Sequence, residues 1–278
     1  MPILNDLPLP LRLSARALLL SAALVCTLPA GAAAQQEDRP AGFGGFLTLG
    51  VAAAPDYEGS KDYKPAPLLG ARFSYDGYYL EFRGTKLRAN VSPVEGLEFG
   101  PVLRYHAGRS DVENDRVDAL RDIDDAVEAG AFARLSTRQV LLQGDTLAFE
   151  VQALTDVSGT SDGTTLSFGP AYSFPVTRRL RLGAALSATY ADRDYTRTYF
   201  GIDADNAARS RLSRYDPGGG LKDVGLTLRA TYRITDHWGV TGIAGYTRLL
   251  GDAADSPIVE QQGSADQGLL AAGLLYHF

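Results

Sequence analysis

The residue types most often used in catalysis occur in this sequence without the spacing that catalysis needs. Residues 159–163 read G-x-S-x-G, as around the nucleophilic serine of many hydrolases, but that motif requires a strand–turn–helix context. Here the segment is short, polar and between two predicted strands, where glycine and serine favour a turn. The three histidines, His106, His237 and His277, fall in separate segments and predict neither a three-histidine metal site nor a Ser–His–acid triad. We therefore predict a non-enzymatic protein with no cofactor and no metal centre.

Residues 111–128 form a dense run of charge with eight acidic side chains. The run lacks the Asp-x-Asp-x-Asp-Gly spacing of an EF-hand, which excludes that type of calcium site. Val117, Leu120 and Ile123 recur every third residue and permit a short helix. We predict a solvated outer loop; the alternative is a divalent-cation site, or contact with lipopolysaccharide through bridging ions.

Composition narrows the class of protein. The 278 residues carry a formal net charge of -6 and contain no Lys/Arg-rich run, which argues against a nucleic-acid-binding protein. Mean hydropathy is -0.10, and no long apolar run follows the N-terminal segment, which argues against a helical membrane protein. The 30 glycines and 14 tyrosines suit many short strands.

Residues 1–34 are predicted to be a cleaved signal peptide. Two arginines precede an uncharged apolar stretch at 17–28 that is too short to span a bilayer as a helix. Small residues follow and predict cleavage between Ala34 and Gln35, which leaves 35–278 as one exported domain. An uncleaved N-terminal membrane anchor is the alternative. The one cysteine of the chain lies in the leader, so the exported domain has no disulfide and no thiolate ligand.

The exported domain alternates apolar and polar residues with a period of two. In 223–234, Val224, Leu226 and Leu228 alternate with glycine, threonine and arginine. Successive side chains of a strand point to opposite faces, so each such segment has one apolar and one polar face. Segments of about 10 residues are long enough for a tilted strand to cross a hydrocarbon core. The segments predicted as strands are 42–54, 65–75, 77–84, 86–91, 97–108, 126–136, 146–156, 164–174, 179–190, 223–234, 238–249 and 267–278.

The connections between these segments sort by length. Every second connection is short, as at 76–77 and 235–237, and most of the others are long, as at 109–125 and 191–222. Short periplasmic turns and long extracellular loops are typical of bacterial outer-membrane barrels, and a sheet in lipid must close because its edges cannot be hydrated. We predict an all-β fold, a monomeric transmembrane antiparallel β-barrel of about twelve strands in the outer membrane of a Gram-negative bacterium. A secreted β-sandwich is the alternative.

The polar faces of the strands predict a charged barrel interior. An arginine excess would make an anion-preferring constriction if the lumen is open. We favour a network of arginines paired with carboxylates such as Glu98 that fills the barrel, because unpaired buried charge is costly. The residues predicted to face the lumen are Glu81, Arg83, Arg104, Glu150, Arg179, Arg181, Arg229 and Arg233.

The last strand ends in an aromatic carboxyl-terminal residue. Gly273, Tyr276 and Phe278 match the spacing of the outer-membrane assembly signal, although Ala271 stands where a polar residue is usual. This match predicts recognition by the barrel assembly machinery.

Several segments together are similar to the MipA/OmpV family. The resemblance implies an outer-membrane barrel with a scaffold role, in which a murein lytic transglycosylase is linked to a bifunctional penicillin-binding synthase. Other members of the family are described as porin-like proteins, adhesins or osmotic-response proteins, and no catalytic residue exists to carry over. The segments that carry the resemblance are 50–59, 124–130, 199–202, 207–210, 215–223 and 232–278.

Three functions follow as hypotheses. The first is a scaffold that contacts peptidoglycan-remodelling enzymes through periplasmic turns, of which 137–145 is the longest. The second is a small-solute or anion channel gated by 191–222, and the third is an adhesin that uses 109–125 and 191–222. The expected partners are outer-membrane lipid and lipopolysaccharide, the assembly machinery and a periplasmic murein hydrolase or synthase.

Overall fold

Alternating side chains build one closed sheet in the computed structural model, which describes residues 42–278. The predicted signal peptide and its cleavage site, Ala34 and Gln35, lie outside the described residues. Within 42–278, no helix combines the length and apolar character needed to cross a membrane. The strands are β1 (Phe43–Pro55), β2 (Tyr63–Tyr75), β3 (Tyr78–Arg83), β4 (Lys86–Asn90), β5 (Leu97–His106), β6 (Ala126–Arg138), β7 (Thr146–Asp156), β8 (Thr164–Pro175), β9 (Leu180–Ala191), β10 (Gly220–Arg233), β11 (Trp238–Leu249) and β12 (Asp266–His277).

Each strand pairs antiparallel with its neighbours in sequence, and β1 pairs with β12 to close the barrel. The closing register runs from Phe46 opposite His277 to Ala53 opposite Leu270. Closure gives every strand two neighbours, which removes most of the free edge that lipid does not tolerate. The prediction of a twelve-stranded antiparallel barrel is confirmed.

The two faces of the sheet differ as the alternation predicts. On β10, Val224, Leu226 and Leu228 are exposed on the outer surface, and the intervening Thr227 and Arg229 lie on the inner face. An apolar outer band is stable against acyl chains, and polar side chains collect inside.

The long connections contain all the helices of the described residues. These are α1 (Asp115–Asp118), α2 (Arg193–Phe200), α3 (Ala204–Ser210), α4 (Gly251–Ala254) and α5 (Pro257–Glu260). The short helix that the acidic run permits is present as α1, although it ends before Leu120 and Ile123, and α2 to α5 were not predicted. Asp192 and Asp203 begin α2 and α3 by accepting hydrogen bonds from backbone N–H groups of the first turn.

The β3–β4 hairpin is short and leaves part of β2 without a partner strand. Gly84 donates to the Leu69 carbonyl at 2.9 Å, and beyond Leu69 this edge of β2 is unpaired within the described residues. Every second residue of a strand directs its backbone groups to the same edge. Pro65 and Pro67 therefore place their nitrogens at the unpaired edge, on the same side as the Leu69 carbonyl. Because proline has no N–H, this edge exposes fewer unpaired donors.

The predicted assembly residues lie at the β1–β12 seam. Gly45 and Phe278 exchange backbone hydrogen bonds of 3.1 and 3.2 Å, and the Phe278 ring stacks on Phe43. Tyr276 packs on Trp238 with ring centroids 4.9 Å apart. A Cβ at Gly273 would lie 2.9 Å from a β1 carbonyl oxygen, so close strand approach requires glycine there. Recognition of these residues by the assembly machinery stays a prediction.

Candidate functional site

Charged side chains from β3 to β7 form one wall of the barrel interior, which we call the charged wall. Glu81 is buried and accepts hydrogen bonds from Arg83 at 2.6 Å and from Arg88 at 2.7 Å. Arg88 also reaches Glu150 at 3.2 Å, and Arg134 lies 3.4 Å from the same carboxylate. The Arg88–Glu150 pair joins β4 to β7, two strands that are not neighbours, so the charges form a network along the inner surface of this wall.

A second charged group lies nearer the long loops. Arg104 donates to Glu128, and His106 Nδ1 lies 3.3 Å from the other oxygen of that carboxylate. The imidazole of His106 stacks on Tyr199 with ring centroids 4.5 Å apart and planes 8° from parallel. This contact joins the charged interior to helix α2.

Small side chains line the interior on the strands that follow the charged wall. Ser167, Gly169 and Ala171 on β8, and Ala185 and Ser187 on the adjacent β9, lie side by side on the inner face. The interior cavity that these residues line together with the charged wall has a volume of about 550 Å³. The volume and the mixed polarity of the lining suit water or a small polar solute.

The eight predicted interior residues do not form one cluster. Glu81, Arg83, Arg104 and Glu150 belong to the two charged groups above, and Arg229 on β10 lies near enough to interact electrostatically with Arg83 and Glu81. Three arginines lie instead at the short-turn end. They are Arg179, in the turn before β9; Arg181, which donates to the Gly144 carbonyl at 3.1 Å; and Arg233, which donates to the Arg178 carbonyl at 2.8 Å. Glu98 accepts a hydrogen bond from Tyr79 at 2.7 Å.

Sequence reasoning missed several members of the charged groups. Arg88, Arg134 and Glu128 lie directly opposite predicted residues in neighbouring strands: Arg88 faces Glu81, Arg134 faces Glu150 and Glu128 faces Arg104. Cross-strand neighbours of opposite charge stabilise a sheet, so the strand register was the signal that would have found them.

The long loops pack into an outer cap over the long-loop end of the barrel. Two hydrophobic clusters hold it together, with side chains from the connections β1–β2, β5–β6, β9–β10 and β11–β12. Phe200, Ile202 and Ile258 are fully buried in these clusters. Val117, Leu120 and Ile123 of the acidic run are also buried there, so this segment is packed rather than the solvated loop that we predicted.

A buried ion pair fastens the cap to the barrel. Lys222 at the start of β10 binds Glu58 of the β1–β2 connection and lies 2.6 Å from Asp223. The Tyr195 hydroxyl of α2 donates to Glu58 at 2.9 Å. Burial alone would raise the Glu58 pKa, but the charge of Lys222 and these hydrogen bonds hold it below its ordinary value. Glu58 is therefore a carboxylate that joins three elements.

The segment with the hydrolase-like letters is a turn. Asp156 accepts hydrogen bonds from the N–H groups of Ser158 and Ser161, and the Ser161 hydroxyl lies 3.2 Å from the same carboxylate. β8 follows directly, with no helix, so the strand–turn–helix context of a nucleophile is missing.

The β6–β7 turn presents apolar side chains at the short-turn end. Leu141 is 76% exposed, and Val140 and Leu142 are exposed beside it. The buried carboxylate of Asp145 accepts hydrogen bonds of 2.7 to 2.8 Å from the N–H groups of these three residues. It also accepts one from the Tyr172 hydroxyl at 2.7 Å. One carboxylate thus holds the backbone of the turn, although its apolar side chains face solvent.

Asp145→Asn is expected to loosen this turn. Burial by itself would raise the Asp145 pKa, but the hydrogen bonds from Tyr172 and the turn amides hold it well below its ordinary value. A carboxyl with a depressed folded pKa adds stability above its unfolded pKa of about 3.9, and this stability is lost as pH falls through the folded pKa. The amides of Val140, Leu141 and Leu142 should therefore stay protected from hydrogen exchange from pH 7 to about pH 4, and exchange faster in the variant.

Hydrogen exchange followed by mass spectrometry tests this expectation. Asp236→Asn, at an exposed position in the β10–β11 turn, is the matched control and should leave exchange in the β6–β7 turn unchanged. Equal exchange in native protein and Asp145→Asn would show that the carboxylate does not organise the turn.

The sequence of this chain was compared with known protein families and with curated relatives. A family model described as MltA-interacting protein MipA matches residues 47–278. The chain is 39% identical over 90 residues to outer membrane protein Omp26La of Vibrio anguillarum, which covers 32% of this chain and 33% of that protein. It is 36% identical over 80 residues to the MltA-interacting protein of Escherichia coli K12, with 29% and 31% covered. These alignments span about a third of each curated relative.

Among solved structures, the NanC porin is similar to this chain with a TM-score of 0.45 and 9% sequence identity. The superposition covers 83% of this chain and 98% of the porin.

Proposed function

Because the chain belongs to the MltA-interacting protein MipA family, we propose that it is a non-enzymatic outer-membrane barrel that anchors a peptidoglycan-remodelling enzyme through its periplasmic turns. Its place in the outer membrane follows from the closed barrel and from relatives that are named outer membrane proteins. The proposed partner is a murein lytic transglycosylase, with a penicillin-binding synthase as a second member of the complex. The name of the Escherichia coli relative, MltA-interacting protein, supports this choice.

The observation that carries the proposal is the exposed apolar β6–β7 turn, whose backbone is hydrogen-bonded to Asp145. Val140, Leu141 and Leu142 are exposed on a backbone that Asp145 fixes by three hydrogen bonds. A surface that is already ordered loses less conformational entropy when it binds, and exposed apolar side chains gain by burial. A periplasmic protein with an apolar groove is the occupant that fits this turn.

The closed interior favours an anchor over an open channel. The charged wall narrows the interior with paired side chains such as Arg88 and Glu150, and the outer cap packs over the long-loop end. A solute would have to break buried contacts to pass, whereas a docking role uses only the turns. An adhesin would use the outer surface of the cap, which contains no comparable exposed apolar group among the described residues of the α2–α3 segment.

Replacing both leucines, Leu141→Asp with Leu142→Asp, is expected to weaken binding of the lytic transglycosylase at least about tenfold, because charge is placed at the centre of the contact. Biolayer interferometry on the purified barrel in detergent, with the transglycosylase of the same organism, measures this. Val176→Asp is the matched control, since Val176 is an exposed apolar residue in the neighbouring β8–β9 turn. It should bind as the native barrel does.

A gel shift on heating shows that each variant is a folded barrel. Native affinity in the double variant would exclude the β6–β7 turn as the docking surface. A native barrel that binds neither enzyme would overturn the anchor function itself.

A further inference from the structure

Three cationic side chains form a row on the inner face of the barrel, beside the tip of the β3–β4 hairpin. Lys86 on β4 is directly opposite Arg83 on β3 and directly opposite Arg104 on β5. Neighbouring strands are about 4.8 Å apart, so the row brings three positive charges to one level of the wall. Like charges that lie directly opposite each other destabilise a sheet, so folding alone does not favour this row.

Lys86 is the member of the row without a counter-ion. Arg83 binds Glu81 at 2.6 Å, and Arg104 binds Glu128. Lys86 forms no hydrogen bond or ion pair with any residue of 42–278. It is close enough to Arg104 for the two positive charges to repel each other. A charge that is partly removed from water is costly unless it is paired, so the row lacks one anion.

The row faces the interior cavity of about 550 Å³. Lys86, Arg83 and Arg104 all line this cavity, and Lys86 is partly exposed there. Its ammonium group is therefore accessible to a ligand inside the barrel, and it has three N–H groups to donate.

The charges that line the interior cavity favour an anion. Within the described residues, the lining contains five lysines and arginines against three carboxylates. Two of these carboxylates, Glu58 and Asp223, are bound by Lys222. The third, Glu150, is bound by arginines of the charged wall. Arg229 on β10 adds a further positive charge near the row. An anion beside Lys86 therefore meets uncompensated positive charge.

The barrel wall is interrupted beside this row. The hairpin tip at residues 84–85 borders the cavity through Thr85, and above the tip β2 and β5 are not paired with each other. Leu69 and Tyr105, which flank the interruption, are exposed on the outer surface of the barrel. The row therefore adjoins both the interior cavity and the surface that contacts lipid.

We propose that the interior cavity binds a phosphate group, with Lys86 as its counter-ion and Arg83 and Arg104 as flanking donors. An ammonium is a compact point charge that binds phosphate, and guanidinium groups donate to further phosphate oxygens. Arg104 uses only Nε for Glu128, so its two Nη groups are free for a ligand within the described residues. The phosphate group belongs either to a solute in the cavity or to a lipid head group at the interruption of the wall.

Inorganic phosphate is the first probe, titrated calorimetrically at constant ionic strength into the full barrel refolded from urea in an uncharged detergent. We expect phosphate to bind at least about tenfold more tightly than chloride or acetate, because only phosphate offers oxygens to all three cations. Lys86→Gln should weaken phosphate binding at least about tenfold. Lys61→Gln removes the same charge from an exposed position in the β1–β2 connection, and this matched control should bind phosphate like the native barrel.

Lys86→Met separates ligand binding from folding. It removes an unpaired charge, so in phosphate-free buffer this variant should unfold at or above the urea concentration that unfolds the native barrel. Phosphate should raise that concentration for the native barrel and leave it unchanged for Lys86→Met, because a ligand stabilises only the form that binds it.

Phosphatidic acid distinguishes the two sources of the phosphate group. The barrel in phosphatidylcholine vesicles is titrated with inorganic phosphate, with either phosphatidic acid or the same amount of oleate added to match the surface charge. Weaker binding in phosphatidic acid than in oleate would assign the site to a lipid head group, and equal binding would assign it to a solute. The proposal is overturned if phosphate does not bind, if chloride or acetate binds as tightly, or if Lys86→Gln binds phosphate no more weakly than Lys61→Gln.

Discussion

Glu81→Gln is expected to destabilise the folded barrel by about 3 kcal/mol. Glu81 is 1% exposed and lies between Arg83 at 2.6 Å and Arg88 at 2.7 Å. A neutral amide leaves both guanidinium groups without their shared counter-ion in the interior. We take the lower end of the range of about 3–5 kcal/mol for broken buried pairs, because Arg83 is half exposed and Arg88 keeps Glu150.

Equilibrium urea unfolding in lipid vesicles measures this loss, with Glu95→Gln as the matched control. Glu95 pairs with Arg138 at 3.6 Å, and both side chains are largely exposed. Exposed ion pairs contribute little, so the control should change the free energy of unfolding by less than about 1 kcal/mol. If both variants lose the same small amount, water in the interior screens the charged wall and its pairs do not hold the barrel together.

Much of the barrel could be predicted because each strand has only two faces. Apolar residues must meet lipid on one face at every second position, and β7 was predicted with its observed bounds. β10 was predicted from residue 223 but begins at Gly220. A register shift between Leu221 and Asp223 breaks the alternation, so Lys222 and Asp223 are both buried.

Less of the site could be predicted, because alternation gives the face of a residue but not its height in the barrel or its partners. Arg179 and Arg181 occupy polar positions of the alternation, as the interior arginines do, but they lie at the short-turn end. The Arg88–Glu150 contact depends on the curvature that brings non-neighbouring strands together. The aspartates that begin α2 and α3 are a local sequence signal for these helices. The residues against which the helices pack come from four separate loops, which no local signal reveals.

Removing residues 194–216 is expected to convert a silent barrel into a conducting one. This deletion takes away α2 and α3, which supply much of the buried apolar surface of the outer cap. The barrel should still assemble, because Ala191, where β9 ends, is already paired with Gly220, where β10 begins. A Cβ built on Gly219 would lie 2.9 Å from the Arg193 nitrogen, so the cut ends are adjacent and need only a short link.

Single-channel recording in a planar bilayer distinguishes two places where ion flow is blocked. If the cap is the block, the native barrel shows no steps, the deletion shows steady steps, and adding Arg229→Glu to the deletion shifts its selectivity towards cations. Deleting the cap would then leave the interior cavity of about 550 Å³ open to the outside. A silent deletion variant would mean that the interior side chains, including the paired charges of the charged wall, block ion flow without the cap. Steady steps in the native barrel would contradict both, and would favour a channel over an anchor.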